Sequence, residues 1–240
     1  MIKLYQYTAA WGLSDISPFV TKVDCYLRMV KLPYEQITLP AVELAKTSKG
    51  KLPIIEDRGR KIADSDFIVA YLKATYGDTL DTSLTPRERA VALALRRLME
   101  EGLYWSAIIQ MRWKEEANFA LYRPVLYKVV DLPPDQRDGA VNQFREGILQ
   151  EFHGQGMGRH TAEENYALAR ADMTALSDYL GERSYFMGEE PTSLDATAYA
   201  WLVHILWVPF QGPVKEYAVS LPNLVAYCHR MKEQYYPEGC

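Results

Sequence analysis

Two short stretches of this chain hold residue types that can do chemistry together. In Lys49 to Leu72, "KGKLPIIEDRGRKIADSDFIVAYL", a proline leads an apolar strand and an Asp64-Ser65 pair opens an amphipathic helix. Pro53 cannot donate a ladder hydrogen bond, so a strand that it heads needs a bend, often with a cis peptide. Such a bend turns neighbouring backbone groups outward. Beside them, the first N–H groups of the helix at Asp64-Ser65 lack partners and carry partial positive charge. Together these groups suit a peptide-like, anionic ligand. The second stretch is Ser17-Pro18-Phe19-Val20. Serine before proline is the pattern of an N-cap followed by the first helical position. Its hydroxyl is either a plain cap or a hydrogen-bond donor displayed at a positive helix end.

The surrounding pattern says what positions these groups. Ile2 to Thr8 alternates apolar and polar residues and reads as a strand. The loop "AAWGLSDIS" leads into a helix whose apolar residues Phe19, Val23, Tyr26, Leu27 and Val30 recur at helical spacing. Tyr34 to Leu39 reads as a second strand and Leu52 to Glu56 as a third, followed by a polar turn at Asp57 to Lys61 and a further strand piece. After Tyr76-Gly77-Asp78 strand signals almost vanish, and helical stretches run to Tyr236. The expected organisation is a small α/β domain over residues 1–77, a linker at about 78–86, and an all-α domain over 87–240. Thr161 with Glu164, and Thr192 with Asp195, have capping-box spacing, a folding device.

Composition excludes several function classes. The net charge is −4 and Lys and Arg are scattered, so a nucleic-acid footprint is absent. The most apolar window, Ala198 to Phe210, is too short to span a bilayer, and the first residues read as a strand rather than a signal segment or membrane anchor. Cys25, Cys228 and Cys240 are too few for a disulfide framework, which suits a reducing, cytoplasmic setting. His153 and His160 lack metal-ligand spacing, Cys228 and His229 point to different helix sides, and no metal site is expected. Gly154, Gly156 and Gly158 follow a helix rather than a strand and read as a turn.

Five segments in order, "SPFVTKVDCYLRM", "SKGKLPIIE" with "ADSDFIVAYL", "GQGMGRHTAEE", "MGEEPTSLDATAYAWL" and "LPNLVAYCHRMKEQYYPE", resemble the glutathione S-transferase superfamily. The likeness is to the branch holding the failed-axon-connections and metaxin proteins. It implies a thioredoxin-like domain followed by a helical domain. It also implies that glutathione serves as co-substrate, with no other cofactor. On that resemblance Leu52 offers backbone groups to the cysteinyl part of glutathione and Pro53 is the cis-proline. Asp64 and Ser65 hold the γ-glutamyl end, and Lys51 supplies charge to the glycyl carboxylate.

Ser17 falls where related enzymes touch the glutathione sulfur. A thiolate is the nucleophile, and a helix N-terminus plus a hydroxyl donor favour it. Tyr7 and Tyr5, which share a strand face, and Ser14, in a loop of uncertain register, are the alternatives for this role. Redox-active relatives carry Cys at the Ser17 position and often at Val20; neither is present, which argues against disulfide exchange. Cys25 reads as a buried small hydrophobe. Trp11, Tyr104 and Trp105 are candidates to wall an apolar second-substrate pocket, with Met111, Arg112 and Trp113 on the same long helix. The resemblance therefore implies a transferase acting on a small apolar electrophile, and in many relatives a homodimer. Its alternative is a non-catalytic binding or adaptor module of the metaxin kind, with a vestigial pocket.

Overall fold

The computed structural model describes residues 1–44 and 46–237. Its first half contains β1 (Ile2–Gln6), α1 (Pro18–Met29), β2 (Tyr34–Thr38), the short α2 (Ala41–Leu44), β3 (Ile54–Asp57), β4 (Arg60–Ala63) and α3 (Ser65–Tyr76). The strands form one mixed sheet in the order β2-β1-β3-β4. β1 runs parallel to β2, which requires the α1 crossover, and antiparallel to β3. Between β3 and β4 the two-residue turn Arg58-Gly59 has φ of 51° and 75°. Positive φ at both central positions matches strand twist in a tight hairpin. Tyr5 and Tyr7 pack on the same small apolar cluster, with Val20, Leu44, Leu52 and Ile54, as strand periodicity requires.

The second half is helical: α4 (Pro86–Arg97), α5 (Glu116–Val130), α6 (Pro134–Gln155), α7 (Ala162–Leu180), α8 (Ser193–Leu206), α9 (Pro213–Val219) and α10 (Pro222–Tyr235). A capping box of Thr85 and Glu88 starts α4, and the box of Thr161 and Glu164 starts α7. Asp195 accepts from Thr192, from the Phe186 N–H and from the Tyr227 hydroxyl, so its role is structural. Among the described residues no helix is long and apolar enough to cross a membrane. Cys25 and Cys228 are buried free thiols; Cys240 lies outside the described residues. Gly154 lies inside α6 and Gly156, at φ 116°, ends it. A side chain at Gly158 would meet the His153 backbone nitrogen at 2.7 Å, so that position serves close packing.

Two findings depart from the sequence pattern. The halves do not have wholly separate cores: α1 packs on α8, and one apolar cluster runs through both. The long periodic run after Pro86 also does not stay α-helical, because Leu98–Lys114 is wound as a π-helix. Glu100, Glu101, Tyr104, Trp105, Ile108, Ile109, Arg112 and Trp113 all face one cleft, in pairs that recur every four residues. An α-helix, at 3.6 residues per turn, would let such a stripe drift around its axis in one direction, and the wider winding turns it back in the other.

The two halves also meet away from the cleft. Asp24, fully buried on α1, accepts hydrogen bonds from Tyr34, from Gln36 at 3.0 Å and from Tyr236 at 2.7 Å. Arg28 adds an ion pair at 3.3 Å.

Candidate active site

The cleft between the halves has a volume of about 950 Å³, within the range of small-molecule sites. One wall comes from the start of α1, the Leu52-Pro53 bend and the start of α3. The other comes from the π-helical segment and α6.

Ser17 is the N-cap of α1, with φ −101° and ψ 125°, and its side chain makes no capping bond. The residue is half-buried and lines the cleft. Its backbone N–H is held instead by Asp15, whose carboxylate accepts it at 2.7 Å and the Tyr7 N–H at 2.8 Å. Asp15 is fully buried. Burial pushes its carboxyl well above the usual carboxylate range, while the N–H groups pull the other way. The clamp fixes the backbone and leaves the Ser17 hydroxyl uncommitted.

The Leu52–Pro53 peptide is cis. Leu52 is buried at the cleft edge, and its backbone N–H donates to the Tyr7 hydroxyl, a group that burial pushes to higher pKa. Asp64 caps α3 by accepting the Asp66 N–H at 3.0 Å, and pairs with Lys49 at 3.3 Å. Lys51, exposed, pairs with Glu151 of α6 across the cleft mouth.

Beneath Ser65 lies a charge network that the sequence reading missed. The Lys22 ammonium, with a side chain only 3% exposed, donates to Ser65 Oγ at 3.2 Å and to Asp66 and Glu100 at 2.6 Å each. Arg96 closes on Asp66 from the other side. Arg97 lies 3.9 Å from the same carboxylate and pairs more closely with Glu101 at 3.1 Å, so three cations are matched by three carboxylates. Burial alone would raise Asp66, but Lys22 and Arg96 more than offset it and hold the carboxyl below its ordinary value. Burial wins at Glu100, whose carboxyl is raised despite Lys22. The available signal was a lysine inside the apolar stripe of α1, between Phe19 and Tyr26.

The remaining candidates separate clearly. Tyr7, Tyr104 and Trp105 line the cleft. Tyr5 lies outside it, its hydroxyl bonded to Glu56 at 2.9 Å. Ser14 is buried away from the cleft, and its hydroxyl finds no partner. Trp11 does not wall the pocket. Positive φ at Trp11 and Gly12 turns its loop inward, and its ring packs behind the wall on Tyr122 and Phe210, at 5.7 and 5.0 Å between centroids. Among the described residues no group of three or more His, Cys, Asp or Glu is placed to hold a metal.

The chain is 43% identical to the isoprene-epoxide glutathione S-transferase of Rhodococcus sp. (strain AD45), over 98% of this chain and 99% of that protein. This chain belongs to the glutathione S-transferase family. Family models described as Glutathione S-transferase N-terminal domain and Glutathione S-transferase, C-terminal domain match residues 18–118 and 169–231. Failed axon connections of Drosophila melanogaster is 32% identical over 99% of this chain, which spans 59% of that longer protein. Metaxin-1 of Mus musculus is 27% identical, over 98% of this chain and 75% of its own length. Among solved structures, a glutathione S-transferase from Rhodospirillum rubrum F11 superposes with a TM-score of 0.64 at 18% identity, covering 99% of this chain and 91% of that one. A beta-etherase from Sphingobium sp. strain SYK-6 gives 0.63 at 16%, covering 98% and 99%. Those two likenesses speak for the fold, a small mixed-sheet domain followed by a helical one.

Proposed function

We propose that this transferase-family chain binds glutathione in the cleft, ionises its thiol at Ser17 and conjugates it to a small apolar electrophile. The observation that carries the reading is convergence. Ser17, Leu52, Asp64 and Ser65 line one open cavity, and the Ser17 hydroxyl is free to donate. The γ-glutamyl end would lie at Ser65 and the α3 N-terminus, braced by Lys22. Lys51 would leave Glu151 to meet the glycyl carboxylate. The Leu52 N–H, held by Tyr7, would exchange that partner for the cysteinyl backbone. The π-helical wall would receive the electrophile, and the relative's epoxide substrate makes a small epoxide the first to try. Two copies pairing, and a reducing cytoplasmic setting that keeps Cys25 and Cys228 as thiols, belong to the same proposal.

Isothermal titration with glutathione tests binding, and no heat at millimolar ligand would remove the reading. Turnover of Ser17→Ala tests the named hydroxyl. A donor that stabilises the thiolate by one or two pK units changes its population at neutral pH by about 10- to 100-fold, so kcat falls by that factor. An adaptor role of the metaxin kind has less support, because its expected mark is a pocket closed by side chains and this cleft is open.

A further inference from the structure

Among the described residues, one cation on the apolar wall has no acidic ion-pair partner. Arg112, 3% exposed, lines the cleft. Its Nη1 donates to the Ile16 carbonyl at 2.6 Å, one residue before Ser17. Nη2 lies 3.0 Å from His204 Nδ1, whose other ring nitrogen is 3.1 Å from the Thr21 hydroxyl. His204 is fully buried, and burial together with Arg112 pushes its pKa well below the ordinary value, so the ring is neutral. Both partners of the guanidinium are thus uncharged, and its buried Nε–H has no partner at all. An unpaired buried charge is costly to keep unless something draws on it. Beside it stands Tyr122, 2% exposed, with its ring centroid 5.2 Å from the guanidinium carbon and its hydroxyl next to the same group. Burial pushes the Tyr122 phenol up to about 12, so it carries its proton at neutral pH.

Resting on the transferase reading above, we propose that Arg112 and Tyr122 form an oxyanion subsite that directs this cleft toward epoxides. The glutathione thiolate, held at Ser17, attacks an epoxide carbon. A new S–C bond forms as the C–O bond breaks, and the bonding pair stays on oxygen as an alkoxide. Arg112 stabilises that charge and Tyr122 gives the alkoxide its proton, leaving a hydroxy thioether. The phenolate then regains a proton from water, which balances the one the thiol gave up on ionising. Preorganised donors of this kind act strongly where water is excluded.

The test compares two electrophiles with glutathione: styrene oxide, which needs an oxyanion stabilised, and iodohexane, whose iodide leaves without a proton. Tyr122→Phe keeps the ring, and Arg112→Lys keeps a charge. Expected is a fall in kcat/KM for styrene oxide on the order of 10²-fold larger than the fall for iodohexane in Tyr122→Phe. In Arg112→Lys the same ratio shifts in the same direction but less. Should Arg112→Lys fail to fold, Tyr122→Phe decides alone. Equal losses on both electrophiles would overturn the subsite and leave the transferase reading standing. A parent protein that neither binds glutathione nor turns over either compound would overturn both.

Discussion

Two charge clusters lining the cleft are built in opposite ways. Under Ser65, Lys22 and Arg96 meet Asp66 and Glu100 in a closed set with short ion pairs. Farther along the same π-helical segment as Glu100, Arg112 stands among aromatic rings, and its hydrogen-bond partners among the described residues are neutral. A neutralised network holds geometry, because each member is fixed by the others and none is left to attract a ligand strongly. A lone buried cation does the reverse: its field is unspent until charge appears beside it. On the proposed reading, the network under Ser65 therefore positions glutathione, and the Arg112 cluster responds to the electrophile.

The sharpest way to break that contrast is to unbalance the first cluster. Lys22→Met strands Glu100 in a site where its side chain is 5% exposed. Losing one partner of a buried pair costs roughly 3–5 kcal/mol, read by urea denaturation, and Ser65 loses its brace so glutathione binding weakens too. Adding Glu100→Gln should restore much of the stability; no recovery would mean that the network is not a coupled pair. Next in size is Ser17→Ala, with its 10- to 100-fold loss of kcat and little change in glutathione affinity.

A third measurement uses a carboxylate outside either wall. Asp172 lies against Gly102 of the π-helical segment, where a Cβ would stand 2.9 Å from its Oδ2. Burial raises it from an ordinary 3.8 to about 6. The folded state thus holds the proton more tightly than the unfolded chain. That contribution is full below the ordinary value and is lost as pH climbs to about 6. Asp172→Asn should raise Tm at neutral pH by about 2 °C and make no difference near pH 4. The smallest effect belongs to the cleft mouth. Glu151→Gln releases Lys51 and should tighten glutathione binding about twofold, less at high salt, since exposed pairs are worth under about 1 kcal/mol.

What the sequence disclosed follows a rule of distance. The Ser17-Pro18 cap, the bend at Pro53, the Asp64-Ser65 helix start and the Thr161 box are each written within a few residues, where local backbone chemistry decides. Lys22 meets a glutamate 78 positions away, and only the folded chain brings them together. The winding of Leu98–Lys114 was hidden for another reason: repeats of four and of 3.6 look alike over the few turns that periodicity can sample. Trp11 was misassigned because its loop turns inward through positive φ at a residue that rarely adopts it.

The Asp24 cluster ties the order of synthesis to the order of completion. Its carboxylate sits on the helix that begins at Ser17, yet one of its donors, Tyr236, follows it by 212 positions. A nascent chain can close its sheet early but cannot fully satisfy this buried acid until the segment that carries Tyr236 is made. Shortening the chain ahead of Tyr236 would thus be felt at the far end of the helix that presents the candidate nucleophile-activating hydroxyl.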